Sequence, residues 1–296
     1  MPARPAPASD PSRHDRAAAS ARRANFVRRM ALACAILVLA ITSLSAFIRL
    51  SKAGLSCDGW PACYGQSLRE LQAGAPAIAG EGAATAAARL AHRVVASSAL
   101  LLVLAILAAC LSARPVPWRE VRIAGALVAL ALLLALLGRW SSDARVPAVA
   151  IGNLVGGFAM LALSVRLAQR GAAVLAPRWR LAAWSATALV LVQVALGALA
   201  SASFAATSCS GGLAVCVDAA RGLPWSVLDP WREPQLAATP PIHAAGALSL
   251  AVHWLFGLAL ALALAPLAAA AMRRGRRVAG AALLVALALA VALGWT

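Results

Sequence analysis

Residues 28–50 read RRMALACAILVLAITSLSAFIRL, and the chain continues at 54–66 with GLSCDGWPACYGQ. Two arginines are followed by 19 residues, 30–48, without a charge. A run of about 20 apolar residues is what a helix needs to cross the hydrocarbon core of a bilayer. This run is too long for a typical signal peptide, and no clear cleavage site follows it. It reads as a retained transmembrane helix. The puzzle is what comes next: Cys57 and Cys63, six residues apart, frame a Gly59-Trp60-Pro61 turn just beyond the apolar segment.

The rest of the chain repeats the first message. Of 296 residues, 62% are hydrophobic and only 12% charged, which is a membrane-protein composition. Seven spans are expected, at 30–50, 90–113, 123–138, 146–165, 181–201, 248–272 and 278–295. In lipid a backbone must satisfy its own polar groups, so helices are the default. The net charge of +17 does not point to nucleic acid. The arginines sit in short clusters between apolar runs, as basic cytoplasmic loops do. With the N-terminus inside, 18 of the 27 basic residues are cytoplasmic and seven of the ten acidic ones are outside. Residues 1–27, rich in Pro, Ala, Ser and Arg, lack an apolar core and are expected to be a disordered cytoplasmic tail.

This topology places the two long loops, 51–89 and 202–247, on the same outer face. Each carries a cysteine pair, Cys57 with Cys63 and Cys209 with Cys216. The succession of span, Cys-pair loop, span, basic loop and span occurs twice. The expected fold is therefore an all-α integral membrane protein of two pseudo-repeated four-helix bundles. Residues 28–170 form the first and 180–296 the second, which is expected to be incomplete, with three helices. Cys34 and Cys110 fall within spans and read as inert packing residues.

Only four histidines are present: His14, His92, His243 and His253. His14 lies in the tail and is given no role. His92 opens the second span in RLAHRVVASSALLL. A histidine at a helix end is commonly a hydrogen-bonded structural residue. Inside a membrane an ionisable side chain is costly and more often functional, and neutral imidazole is a common haem ligand. Its counterpart in the second half is His253 or His243. His92 lies 22 residues before the inner Arg114, and His253 lies 20 before Arg273, whereas His243 lies 30 before it. Measured from the last loop cysteine, His92 stands at 29, His243 at 27 and His253 at 37. Depth in a helix is fixed by geometry while loop length is free, which favours His253.

Arg93 could snorkel outwards from beside His92, to a carboxylate such as a haem propionate or to a lipid phosphate. Asn153, in VPAVAIGNLVGGFAML, is the strongly polar residue of the fourth span. It is either a helix-packing residue among glycines or a side chain over a flat cofactor. Gln193 reads as a helix–helix hydrogen-bonding residue. The Cys pairs are too poor in ligands for zinc. A structural disulfide and a redox-active pair both suit an extracytoplasmic loop. Six extended residues span about 20 Å, while bonded cysteine Cα atoms lie about 5.5 Å apart. The first loop must turn back, and Gly59 and Pro61 are suited to it.

Together, GLSCDGWPACYGQ, LAHRV, AVHWLFGLAL, RVPAVAIGNLVGGFAML and LDPWREP resemble the haem A synthase family of cytochrome oxidase assembly proteins. The first-loop pattern of that family is close to G-L-S-C-P-D-W-P-x-C-x-G. The resemblance runs from about residue 28 to the end. It implies two four-helix bundles with eight spans, and oxidation of a haem O methyl group to the formyl of haem A with oxygen from water. Haem O is the implied substrate of the first half and haem b the implied cofactor of the second. His92 and His253 would be the axial ligands of haem iron, with His243 the alternative, and the four loop cysteines would be the family's. The chain departs from the pattern at Ala88, where the family often has Glu, and at Asn153, where it often has His. It departs also at Trp254, where it has Arg, and in ending before an eighth helix.

The partners so implied are haem O and the synthase that supplies it, an electron acceptor of unspecified kind, the lipid bilayer and, as an option, a second copy of the chain. No nucleic acid is expected. The implied location is a bacterial inner membrane, with the Cys-pair loops periplasmic. Two other classes compete. One is a non-catalytic haem-binding or oxidase-assembly protein, to which the departures point. The other is a transporter-like bundle, which the repeat permits but which should carry more polar groups at mid-membrane than Asn153 and Gln193.

Overall fold

The computed structural model describes residues 11–54, 60–74, 82–140, 146–169, 176–209, 211–237, 239 and 241–295. Cys57, Gly59 and the first ten residues lie outside the described ones. Nine α-helices follow in order among these residues: α1 Pro11–Ala53, α2 Gln66–Gln72, α3 Ala83–Leu111, α4 Trp118–Trp140, α5 Pro147–Ala168, α6 Pro177–Ala202, α7 Leu213–Ala220, α8 Gly246–Arg273 and α9 Arg277–Trp295. Two short 3₁₀ turns, Ala205–Thr207 and Trp225–Leu228, lie in the second long loop.

Leu, Ala and Val supply the helices' apolar lengths, and the punctuation is local. Pro147 and Pro177 each open a helix at a position where the missing N–H costs nothing. Between α8 and α9 the RRGRR stretch reverses the chain. Gly275 takes φ 79°, its N–H donates to Met272 O, and Arg276 N donates to Ala271 O. This is a glycine C-cap that satisfies the last carbonyls of α8.

Six helices, α1, α3, α4, α5, α6 and α8, are long and apolar enough to cross a membrane by length and composition. The seventh expected span corresponds to α9, whose apolar part, Arg277–Ala292, is shorter than the other six. The expected tail is corrected in one respect: α1 begins at Pro11, inside the segment read as disordered. Residues 17–24, AAASARRA, combine strong helix formers directly upstream of the span. The helix therefore propagates backwards without having to nucleate.

The first four long helices close into a ring. α1 packs on α3 and α5, and α4 packs on the same two helices. The second half is a row among the described residues: α5 on α6, α6 on α8, α8 on α9. One end of the ring is solid. Val27, Ala31, Cys34 and Val38 of α1 meet Val103, Ile106 and Cys110 of α3, Leu127 of α4 and Met160 and Leu167 of α5 in a single buried cluster. In lipid such helices associate by close packing rather than by burial from water. Glycines permit it: a Cβ on Gly156 would lie 2.7 Å from Leu134 Cδ2, and one on Gly157 would lie 2.9 Å from Thr42 Cγ2. Cys34 and Cys110 are buried free thiols within this packing, as expected.

Both long loops lie at the opposite end, here called the outer end, and they are joined. Gln72 of α2 donates to Pro234 O at 2.8 Å, and Tyr64 packs on Phe204 with ring centroids 5.5 Å apart. The second loop also reaches the first bundle, where Ala148 N at the start of α5 donates to Pro230 O at 2.8 Å. At the other end Arg274 lies 4.3 Å over the Trp179 ring, tying the start of α6 to the end of α8.

Candidate functional site

The buried positions of α3 are Ala88, Ala99, Val103, Ile106 and Cys110. His92 stands four residues after Ala88 and seven before Ala99, on the same helical stripe. On α5 the buried stripe is Gly156, Gly157, Met160, Ser164 and Leu167. Asn153 continues it three residues upstream of Gly156. Both side chains therefore belong to the faces that look into the ring, near its outer end. Each is only half-buried, and neither has a hydrogen-bond partner among the described residues.

The surroundings differ from the solid end in one decisive way. In the stretches 39–53, 89–98, 128–139 and 148–155 no described residue is buried, whereas Ala88 and Pro147, at the outermost turns of α3 and α5, are. Inward-facing side chains in these stretches stay partly accessible. The residues present fit a flat, apolar, iron-bearing ligand: an unpartnered imidazole on one wall, an unpartnered amide on another, and Leu, Ala and Val around them. The glycines next to Asn153 are not part of that site. Gly152, Gly156 and Gly157 all face neighbouring side chains, so they serve helix contact. Arg93 is exposed on α3, adjacent to His92, with no ionic partner among the described residues.

In the second half His253 falls between Ser249 and Leu260 on the buried stripe of α8. It lies 20 residues before the end of α8 at Arg273, and His92 lies 19 before the end of α3 at Leu111. At 1.5 Å per residue both stand about 30 Å from the inner helix ends. The two histidines are at matching depth. Unlike His92, His253 has a partner. Gln193 Nε2 lies 3.1 Å from its Nδ1 and also donates to its carbonyl at 3.2 Å. The ring rests on Gly197, where a Cβ would come within 2.9 Å of Cε1. Gln193 thus bonds across helices, as read from the sequence, and its partner is the candidate ligand. An imidazole that coordinates through Nε2 carries its proton on Nδ1. As placed, the Gln193 amide nitrogen can only donate, so Nδ1 accepts and the ring proton sits on Nε2; holding an Nδ1 proton would take the amide turned over, with Oε1, now buried without a partner, facing the ring.

His243 is not on a helix. It precedes α8 in the outer loop, is buried, and has an Nδ1 with no hydrogen-bond partner. Burial pushes its pKa below the ordinary histidine value, and a hydrogen bond to the backbone of Ser203 partly opposes the shift. It borders a cavity of about 540 Å³ with Ser203, Ser226, Asp229, Arg232 and Glu233. Its carbonyl accepts from Ser208 Oγ at 2.7 Å.

Of the loop cysteines, Cys209 and Cys216 are joined, with Cα atoms 5.0 Å apart. Cys63 is also disulfide-bonded; Cys57 lies outside the described residues. The turn predicted at Pro61 is formed: Tyr64 N donates to Pro61 O, and Gly65, at φ 71°, donates back to Ala53 O at the end of α1. Among the described residues no group of three His, Cys, Asp or Glu side chains is arranged to hold a bare metal ion. One polar residue of this end escaped the sequence reading, Arg49. Its signal was a lone arginine in the last turns of an otherwise apolar run.

These features define a multi-pass helical membrane protein with paired cysteine-bearing loops at one end and inward histidines beneath them. Comparison with known proteins gives the family. Residues 28–296 match the family described as cytochrome oxidase assembly protein, and the chain belongs to it. It is also 29% identical, over 197 residues, to a protein named Heme A synthase from Shewanella oneidensis. That match covers 61% of this chain and 58% of the relative's length. No solved structure matches.

Proposed function

We propose that the chain is a haem A synthase-like membrane oxidoreductase that oxidises a methyl group of haem O to the formyl of haem A for cytochrome oxidase assembly. Family membership supports the pathway. The observation that carries the site is the placement of His92 and Asn153 on inward stripes of the four-helix ring, half-buried and without hydrogen-bond partners among the described residues. In this reading His92 holds the iron of haem O in the first half. His253 holds haem b in the second, with His243 the alternative, and Arg93 meets a propionate. Haem supplies the iron redox chemistry when bound. The protein's own residues fix its orientation, exclude water from the apolar walls and, at Gln193, fix the His253 ring through its Nδ1 edge.

Introducing an oxygen from water into a methyl group releases protons and electrons, so an acceptor must take the electrons. The N-terminus is assigned to the cytoplasm, which places the disulfide-bearing loops in the periplasm of a bacterial inner membrane. The partners are haem O, the synthase that supplies it, the bilayer and, as an option, a second copy of the chain. In this topology the two halves are pseudo-repeats. One observation favours a second reading, a haem-binding assembly protein without catalysis: Ala88 and Asn153 stand where the family pattern has Glu and His.

Co-expression with a source of haem O, followed by haem extraction and chromatography, separates the two. Haem A in the extract, lost in His92→Leu, supports the synthase. Haem bound without any formyl product supports the assembly protein. A detergent-purified chain with no haem bands in its reduced-minus-oxidised spectrum excludes both.

A further inference from the structure

The inward stripe of α1 runs through Val27, Ala31, Cys34 and Val38. Continued in steps of four, three and four residues, it reaches Thr42, Ser45 and Arg49. Arg49 therefore ends the stripe at the outer mouth of the first bundle. It is half-buried, and its Nη1 donates to Ser201 Oγ at the outer end of α6. That hydroxyl is neutral. No carboxylate lies within ion-pair distance of Arg49 among the described residues. Tyr64, only 3% exposed, is near enough for the two charges to interact. Burial raises the phenol's pKa and the positive charge of Arg49 pulls it back down. The Tyr64 hydroxyl has no hydrogen-bond partner among the described residues.

Arg49 and Ser201 also hold the same place in the two halves. Each stands eight residues before the first cysteine of its loop, Cys57 and Cys209. The contact thus joins equivalent positions across the junction of the halves, and only the first half carries the charge. A guanidinium withdrawn from water without a counter-ion is costly. Its planar fork of N–H donors matches an oxyanion, and a carboxylate best of all.

We propose that Arg49, held at Ser201, forms a carboxylate site at the outer junction of the two halves and takes a propionate of the bound porphyrin. The inference rests on the haem reading above and names a contact that reading does not contain. A lipid phosphate offers the same oxyanion chemistry, so the experiment must separate the two sources.

The full chain, purified in detergent, is titrated with haem b and with haem b dimethyl ester, whose propionates are uncharged. The same titrations are made on Arg49→Gln, Arg49→Lys and Ser201→Ala, with thermal unfolding of each haem-free variant as the folding control. Wild type is expected to bind the free acid about tenfold more tightly than the ester, as a charge-assisted pair implies. Arg49→Gln should cut the preference severalfold, leaving only the share that Arg93 supplies, Arg49→Lys should keep more of it than Arg49→Gln, and Ser201→Ala should keep it whole. An Arg49→Gln chain that retains the wild-type preference overturns the proposal. So does a wild type with no preference whose binding of phosphatidylglycerol depends on Arg49, which assigns the site to lipid. If neither porphyrin binds wild type, the haem reading falls and this site with it.

Discussion

Gly197→Ala tests the geometry around His253, because two physical arguments give it opposite signs. A glycine in a helix interior is worse than alanine by about 1 kcal/mol, so the substitution should stabilise α6. The structure predicts the reverse. The new Cβ would lie 2.9 Å from His253 Cε1, 3.5 Å from Nδ1 and 3.6 Å from Nε2. The ring must retreat by more than half an ångström, on the order of the gap to an ordinary contact of about 3.5–4.0 Å. It is held by Gln193 Nε2, 3.1 Å from Nδ1, and a shift of that size breaks or strains the bond. Losing such a bond costs about 1 kcal/mol, and overpacking costs about 1–3 kcal/mol. Set against the propensity gain, the net is a destabilisation of about 1–3 kcal/mol. Gly125→Ala on α4 is the control, because a Cβ there meets nothing within 4 Å and only the propensity gain remains. Thermal unfolding in detergent should lower the midpoint for Gly197→Ala and raise it for Gly125→Ala. With haem bound, Gly197→Ala should also alter the haem absorption spectrum. Equal stabilisation by both substitutions, with an unchanged spectrum, would refute the placement of His253 against α6.

Other consequences are testable with the same preparation. Removing the Cys209–Cys216 bridge with Cys209→Ser frees a short loop, at a cost of about 2–3 kcal/mol by loop-closure entropy, and reductant should destabilise wild type similarly; insensitivity to both would show that the bridge carries no stability. His243 has a folded pKa below its unfolded value of 6.5. The neutral form is the one folded in, so its contribution is complete above about pH 6.5 and declines as pH falls through that value towards the folded pKa. The unfolding midpoint should drop more steeply below about pH 6.5 in wild type than in His243→Gln, and parallel profiles would refute the assignment. Gln193→Leu should shift the midpoint potential of a haem held by His253, because the Nδ1 partner tunes the ligand. An unchanged potential and spectrum would remove His253 from the ligand set and leave His243.

The first-loop string GLSCDGWPACYGQ carried more information than the histidines. It placed a turn at Pro61, and the structure forms that turn. It also pointed to the family that the comparison then gave. The spans were legible because a lipid-facing helix is apolar all round and needs no tertiary knowledge. The start of α1 was not, because Pro, Ser and Arg at residues 1–16 obscured a helix-forming segment at 17–24 that the span extends. The short helices α2 and α7 were missed for a related reason: they are too brief to show a period and are held by the loop contacts around them.

What the sequence determined by itself is the membrane class, the places of the long helices, the two cysteine loops and the equal depth of His92 and His253. These depend on local hydrophobicity and on counting along a helix of fixed rise. Tertiary structure decided which way each residue looks and what it meets. It put His92 and Asn153 on the inward stripes of a ring that is solid at one end, set Gln193 and Gly197 against His253, and left His243 in a loop off the helix. It also brought Arg49 to Ser201 across 152 residues of chain. Such contacts arise from how ridges and glycine grooves seat one helix on another. No single apolar run records that.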